Sequence, residues 1–226
     1  MIRALTWLPL ARVLRPWRTR LTVIAWCVLA IVLAVAARSN GSLRAADHAL
    51  LGCYGPLVLP LLAYTLVGAI VGGQSLSSST APLVTLGARP TRVSAVAILV
   101  AAAACAVAGS IVAAVVAMLA HGTGDPPLVR DTIVSAYAGG LGGTAYGTWF
   151  MLGASLGKRG GGRPVLLVVD WLLGATDGAA SLATPRGHVR NLLGGTAPMD
   201  LSQRASAGVL VVLALVCAFI VVKRAR

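Results

Sequence analysis

Residues 94–120 read SAVAILVAAAACAVAGSIVAAVVAMLA, a run without one charged side chain. At 1.5 Å per residue it makes a helix of about 40 Å, longer than the ~30 Å hydrocarbon core of a bilayer, and it is apolar on every face. No water-facing side remains, so lipid or protein must surround it. Comparable runs lie near 21–37, 49–73, 133–157, 164–183 and 207–222. They are too long for barrel strands, and in lipid only helices or closed barrels satisfy the backbone. The expected fold is an all-α membrane protein with six transmembrane helices. The fifth run is the least apolar, because it holds Asp170 and Asp177.

Composition supports this. Of 226 residues 58% are hydrophobic and 11% charged, and the six acidic residues are all Asp. Too few polar side chains exist to clothe a soluble enzyme of this size. The formal net charge of +13 comes from small basic groups between apolar runs. That pattern suits anionic headgroups and excludes a phosphate-tracking nucleic-acid surface. Thirteen of the nineteen cations fall in the N-terminal segment (Arg3, Arg12, Arg15, Arg18, Arg20), at Arg89 and Arg92, at Lys158, Arg159 and Arg163, and in the tail Lys223, Arg224 and Arg226. The other six share their loops with Asp47, Asp125, Asp131 and Asp200. Because basic loops are retained inside, both termini are expected in the cytoplasm. Cys27, Cys53, Cys105 and Cys217 stand apart inside apolar runs, as small buried hydrophobes rather than metal or redox ligands. No cofactor is expected.

Residues 1–20 form a separate unit. Leu5, Trp7, Leu8, Val13, Leu14 and Trp17 alternate with arginines and are interrupted by Pro9 and Pro16. This predicts a bent elbow segment lying on the cytoplasmic leaflet ahead of a single transmembrane domain, 21–226; a disordered basic tail is the alternative. A basic start before an apolar run also has the outline of a signal peptide, but the spans that follow favour an uncleaved first helix. Gly68 with Gly72, and Gly139, Gly143 and Gly147, have the spacing of close helix contacts, while Pro56 and Pro60 predict kinks in the second span.

Signs of catalysis are few. No phosphate-binding loop is present, so the chain does not hydrolyse ATP by itself. Gly153-Ala-Ser155-Leu-Gly157 matches the GxSxG of serine hydrolases, but a helix end replaces the required strand and turn, and His48, His121 and His188 fall at the opposite side. Asp177-Gly178-Ala179 resembles a fragment of the diacid motif of membrane phosphatidyltransferases, without its later aspartates. An ionisable side chain inside a span must face protein or water. On one continuous helix Asp170 and Asp177, seven residues apart, share a face and with Trp171 form a candidate polar lining; in the alternative the span is broken and Arg, Ser or backbone groups satisfy both carboxylates.

The loop 74–92 is the most informative polar segment. Thr80 is placed to cap a short helix with Pro82 in its first turn, Leu83 and Leu86 on its apolar side, and Pro90 as its stop. With Pro90-Thr91-Arg92 this segment resembles the inner loop of type-2 ABC exporter permeases, where a Gly-Thr-Leu stretch leads to Leu-Leu and then Pro, a small residue and Arg. The acidic residue common at the start of that pattern is absent; Gln74 and a serine run stand there. Pro185-Arg-Gly-His188-Val-Arg190-Asn191-Leu-Leu-Gly194 is similar to the re-entrant segment of the same family between spans five and six.

The resemblance implies a permease subunit in a bacterial cell membrane. It would work as a homodimer or beside a similar permease, driven by a separate cytoplasmic ABC ATPase. Leu83, Leu86, Arg89 and Arg92 would be the ATPase contact. The competing reading is a non-transporting membrane partner, such as an immunity, sensory or assembly subunit; an intramembrane enzyme is more remote.

Overall fold

The computed structural model describes residues 7, 9, 11–13, 16–157 and 159–225. The described residues are helical or in turns, with no strand. The helices are α1 (Trp17–Ser39), α2 (Ala45–Ile70), α3 (Leu76–Thr85), α4 (Pro90–Ala120), α5 (Leu128–Ser155), α6 (Gly162–Leu173), α7 (Pro185–Leu192) and α8 (Gln203–Arg224). Of these, α1, α2, α4 and α8 are long and apolar enough to cross a membrane. Their outer faces carry uncovered large side chains, among them Leu21, Ile24, Val28 and Val32 on α1, Leu99, Val107 and Ile111 on α4, and Val212, Leu215 and Phe219 on α8. Water would not tolerate so continuous an apolar surface. The chain is a membrane protein.

At the centre stands α5, which touches α2, α3, α4, α6, α7 and α8. Its 28 residues extend about 42 Å. It is rich in Gly, Ala, Ser and Thr, and from Ala138 to Ala154 it is covered by protein and needs no lipid-facing stripe, whereas Val129, Ile133, Val134 and Tyr137 nearer its start are uncovered. The expected contacts at Gly139, Gly143 and Gly147 are present. A Cβ on Gly139 would lie 2.5 Å from the Gly109 carbonyl oxygen, one on Gly143 2.2 Å from that of Cys105, and one on Gly147 3.1 Å from that of Ala101. The partners descend along α4 as the glycines ascend α5, so the two helices are antiparallel. Only hydrogen side chains permit this approach, which supplies the dispersion energy that drives helix pairing in lipid.

Several expectations are corrected. The fifth run is not one helix over 164–183: α6 ends at Leu173 after 12 residues, about 18 Å, and a turn and the 3-10 segment Ala179–Ala183 follow. Asp177 therefore lies beyond the helix and does not share a helical face with Asp170. Gly72 makes no helix contact; it and Gly73 have φ of +64° and +72° and turn the chain after α2, which ends at Ile70. In α2 the residues Leu50–Val58, around Pro56, widen into π-helix, while Pro60 falls in the first turn of the α-helix that resumes at Leu59. The short loop helix begins at Leu76 on a Ser75 cap, whose hydroxyl accepts from the Ser78 amide at 3.3 Å. Thr80 is mid-helix and donates to the Leu76 carbonyl at 2.9 Å. Pro82 is interior, and Pro90 opens α4 rather than closing α3.

The bundle has two distinct ends. One cavity of about 320 Å³ is lined by Leu76, Ser77 and Thr80 of α3, Ser94 of α4, Ser155 and the α8 terminus at Arg224 and Ala225, so these segments gather at one end. Arg12 joins them, donating to the Ile70 carbonyl at 3.3 Å and the Ser79 carbonyl at 3.1 Å. Of the elbow segment, Leu5, Leu8, Leu14, Arg3 and Arg15 lie outside the described residues, as do Lys158 and Arg226. The opposite end is tied by Asp125, which accepts from the amides of Gly122 at 2.7 Å and Ala46 at 3.1 Å.

Candidate docking face and buried polar core

Leu86, one residue past α3, is 81% exposed. Arg89 and Arg92 are exposed close by in the chain, whereas Leu83 is half-buried and packs against the pair Ala88 and Val93. Of these four residues Leu86, Arg89 and Arg92 are thus exposed and Leu83 is not. No Asp occurs in the segments at this end, which carry Arg12, Arg18, Arg89, Arg92, Arg159, Arg163, Lys223 and Arg224. The face is cationic with one large apolar projection. Arg12 went unrecognised as a structural residue: a lone arginine between apolar residues gives no sign that it clamps the end of α2 to α3.

Asp170 is fully buried near the end of α6. The Tyr146 hydroxyl donates to it at 2.8 Å and the Arg186 backbone amide at 3.0 Å. Arg186 also donates through its guanidinium to the Trp171 carbonyl at 3.1 Å. Asp170 therefore satisfies an orphan donor in the first turn of α7, whose flanking Thr184 supplies no side-chain cap. Trp171 buries an indole nitrogen that has no hydrogen-bond partner among the described residues. Asp177 is exposed, pairs with Arg190 and accepts from the Thr196 hydroxyl at 2.9 Å. Arg190 further donates to the carbonyls of Ala175 and Thr176, so these two residues shape the loop after α6.

His188 is enclosed, with Nδ1 at 3.3 Å from the Ser206 hydroxyl and Nε2 at 3.0 Å from the Leu182 carbonyl. Asn191 donates to the same Ser206 hydroxyl and to the Leu201 carbonyl, both at 2.8 Å. Together these bonds seat α7 on the first turn of α8. Ser155 donates to the Leu152 carbonyl at 2.7 Å, and no histidine lines its cavity. Among the described residues no three His, Cys or Asp side chains come together in a way that would hold a metal ion.

Asp131, in the first turn of α5 ahead of its apolar part, has a carboxylate pushed above its ordinary 3.8, first by burial and then by the charges of Asp125 and Asp47. The folded protein holds this proton more tightly than the unfolded chain does. The resulting stabilisation is full below 3.8 and is lost as pH rises through the raised value. Asp131→Asn is expected to melt at a higher temperature than the parent at pH 7. The gain should shrink as pH falls through that window, followed by thermal unfolding in detergent.

Comparison with family models, with curated proteins and with solved structures gives no match for this chain.

Proposed function

We propose that this chain is the permease subunit of an ABC-type exporter in a bacterial cell membrane, powered by a separate cytoplasmic ATPase. In this reading six segments cross the bilayer and both termini, α3 and the turn around Arg159 are cytoplasmic. The fifth crossing combines α6 with the 174–201 segment, in which α7 is a re-entrant helix in the outer leaflet. Irregular backbone at that depth is tolerable only where protein covers it, and the hydrogen bonds of Asp170, His188 and Asn191 meet that requirement.

The observation that carries the proposal is the connection from α3 to α4: an exposed Leu86 just past the short helix, followed by an exposed Arg89 and by Arg92 in the first turn of α4. A partner pressing on Leu86 moves a rigid device. Arg12 clamps α3 to the end of α2, Pro90 starts α4 four residues further on, and the glycine contacts carry a displacement of α4 into α5. Closure of the ATPase around ATP would thereby switch the bundle between two packings. The substrate path lies between this chain and a second copy or a similar permease, and the ATPase supplies all the chemistry.

Leu86→Asp tests the docking. Co-purification with a co-expressed candidate ABC ATPase that the parent retains should drop about thirtyfold, the loss of a 2 kcal/mol contact hot spot. The variant should keep the parent's elution profile. Undiminished co-purification would overturn the proposed contact.

A further inference from the structure

We propose that the groove between the N-terminal segment and α2 binds the headgroup of one anionic phospholipid. This inference is independent of the permease reading. The groove holds about 470 Å³, within the range of small-molecule sites. Arg12, Arg18, Thr19, Thr22, Thr65 and Gly68 are among its lining residues, and no carboxylate is. The Thr22 and Thr65 hydroxyls already donate to the Arg18 and Leu61 carbonyls, at 2.9 and 2.8 Å, which leaves two cations and the Thr19 hydroxyl without an acid to match a phosphate diester: charge from the guanidinium groups, a hydrogen bond from Thr19.

The cations are arranged rather than merely accumulated. Arg12 is oriented by its bonds to the Ile70 and Ser79 carbonyls. Behind the groove Arg163 is only 7% exposed, with its Nε lacking any hydrogen-bond partner among the described residues. Its guanidinium reaches Gly68, where Nη1 lies 2.7 Å from the position a Cβ would take. It rests over the Tyr64 ring at 5.6 Å instead of on an acid. The only ion pair among the described residues, Arg190 with Asp177, belongs to the other end of the bundle. Arg163 does not line the groove, but its charge, with no acid among the described residues to offset it, adds to the positive field on the Gly68 wall that Arg12 and Arg18 face with no carboxylate.

The source is lipid rather than free phosphate, because the groove is bordered by α1. That helix turns Leu21, Ile24 and Val28 outward as a bed for acyl chains, and the exposed Trp17 stands at its start like an interfacial anchor.

The test reconstitutes the full chain into vesicles of equal parts phosphatidylglycerol and phosphatidylcholine, extracts it gently and weighs it with retained lipid by native mass spectrometry. One phosphatidylglycerol should be held in preference to phosphatidylcholine. Arg18→Gln removes an exposed side chain and should lower that preference about fivefold, the weight of one cation near a headgroup. Thr19→Val should lower it as well, with both variants eluting as the parent does. Lys223→Gln, which removes a cation at the same end but outside the groove, should leave it unchanged. Equal retention of both lipids by the parent would overturn the proposal, as would an equal loss in Lys223→Gln. Displacement of the phosphatidylglycerol by excess inorganic phosphate would overturn the lipid as the source.

Discussion

Gly143→Leu is expected to destroy the bundle, leaving a protein that aggregates on detergent extraction. A Cβ at this position would lie 2.2 Å from the Cys105 carbonyl oxygen, 2.7 Å from its carbonyl carbon and 3.1 Å from the Ala106 Cα. These are backbone atoms of a facing helix and cannot rotate away. The two helices must separate, and the neighbouring contacts at Gly139 and Gly147 separate with them. The smaller Gly143→Ala should cost about 2 kcal/mol, in the range for overpacking a well-filled interior. Gly208→Ala on α8 is the internal comparison: nothing stands within 4 Å of its Cβ, so the helix should gain about 1 kcal/mol. Thermal unfolding in detergent, with size-exclusion profiles, measures all three. A Gly143→Leu variant as stable as the parent would disprove the close α4–α5 contact.

Asp170→Ala carries the second large effect. It leaves the Tyr146 hydroxyl and the Arg186 amide buried without their acceptor, and each such loss costs about 1–3 kcal/mol. The damage should be local first, so hydrogen exchange across 185–192 should speed up more than in α4 or α5. Asp170→Asn retains one acceptor oxygen and should fall between parent and Ala. If α7 exchanges no faster in Asp170→Ala, the carboxylate does not hold that helix.

These two sites also show how much the sequence disclosed. The spans at α1, α2, α4 and α8 were legible because a long apolar run leaves no other way to satisfy its backbone. The Gly139–Gly143–Gly147 contact was legible because helical spacing puts all three on one stripe. Gly68 and Gly72 have the same spacing, yet Gly72 belongs to a turn; spacing alone does not say where a helix stops. The fifth run misled for a similar reason. Its hydropathy continues to Ala183, but helix α6 ends where α7 packs across it, and a Cβ on Gly174 would lie 2.6 Å from that of Arg186. That tertiary contact has no local signature.

The same limit applies to α3. The run Ser75 to Thr80 offers several equivalent caps, and the positive-φ turn at Gly72 and Gly73 decides that Ser75 is used. Tyr146, Arg186 and Arg163 were invisible as partners because each meets its neighbour from a different helix. Leu86, Arg89 and Arg92 are close together in the chain, so their common place in the connection from α3 to α4 was legible. The half-buried setting of Leu83 depends on Ala88 and on Val93 of the next helix and was not.

The account rests on how often the chain crosses the membrane, and a cysteine at Arg159 decides it. In a background with the four native cysteines replaced by alanine, Thr123→Cys and Ser202→Cys should react with a membrane-impermeant maleimide in intact cells. Arg159→Cys should react only after permeabilisation, since α5 brings the chain back to the cytoplasm at this turn and α6 leads it out again. Labelling of Arg159→Cys in intact cells, to the same extent as Thr123→Cys, would mean that α5 and α6 do not carry the chain in and out, and would contradict the six-crossing arrangement on which the proposed function depends.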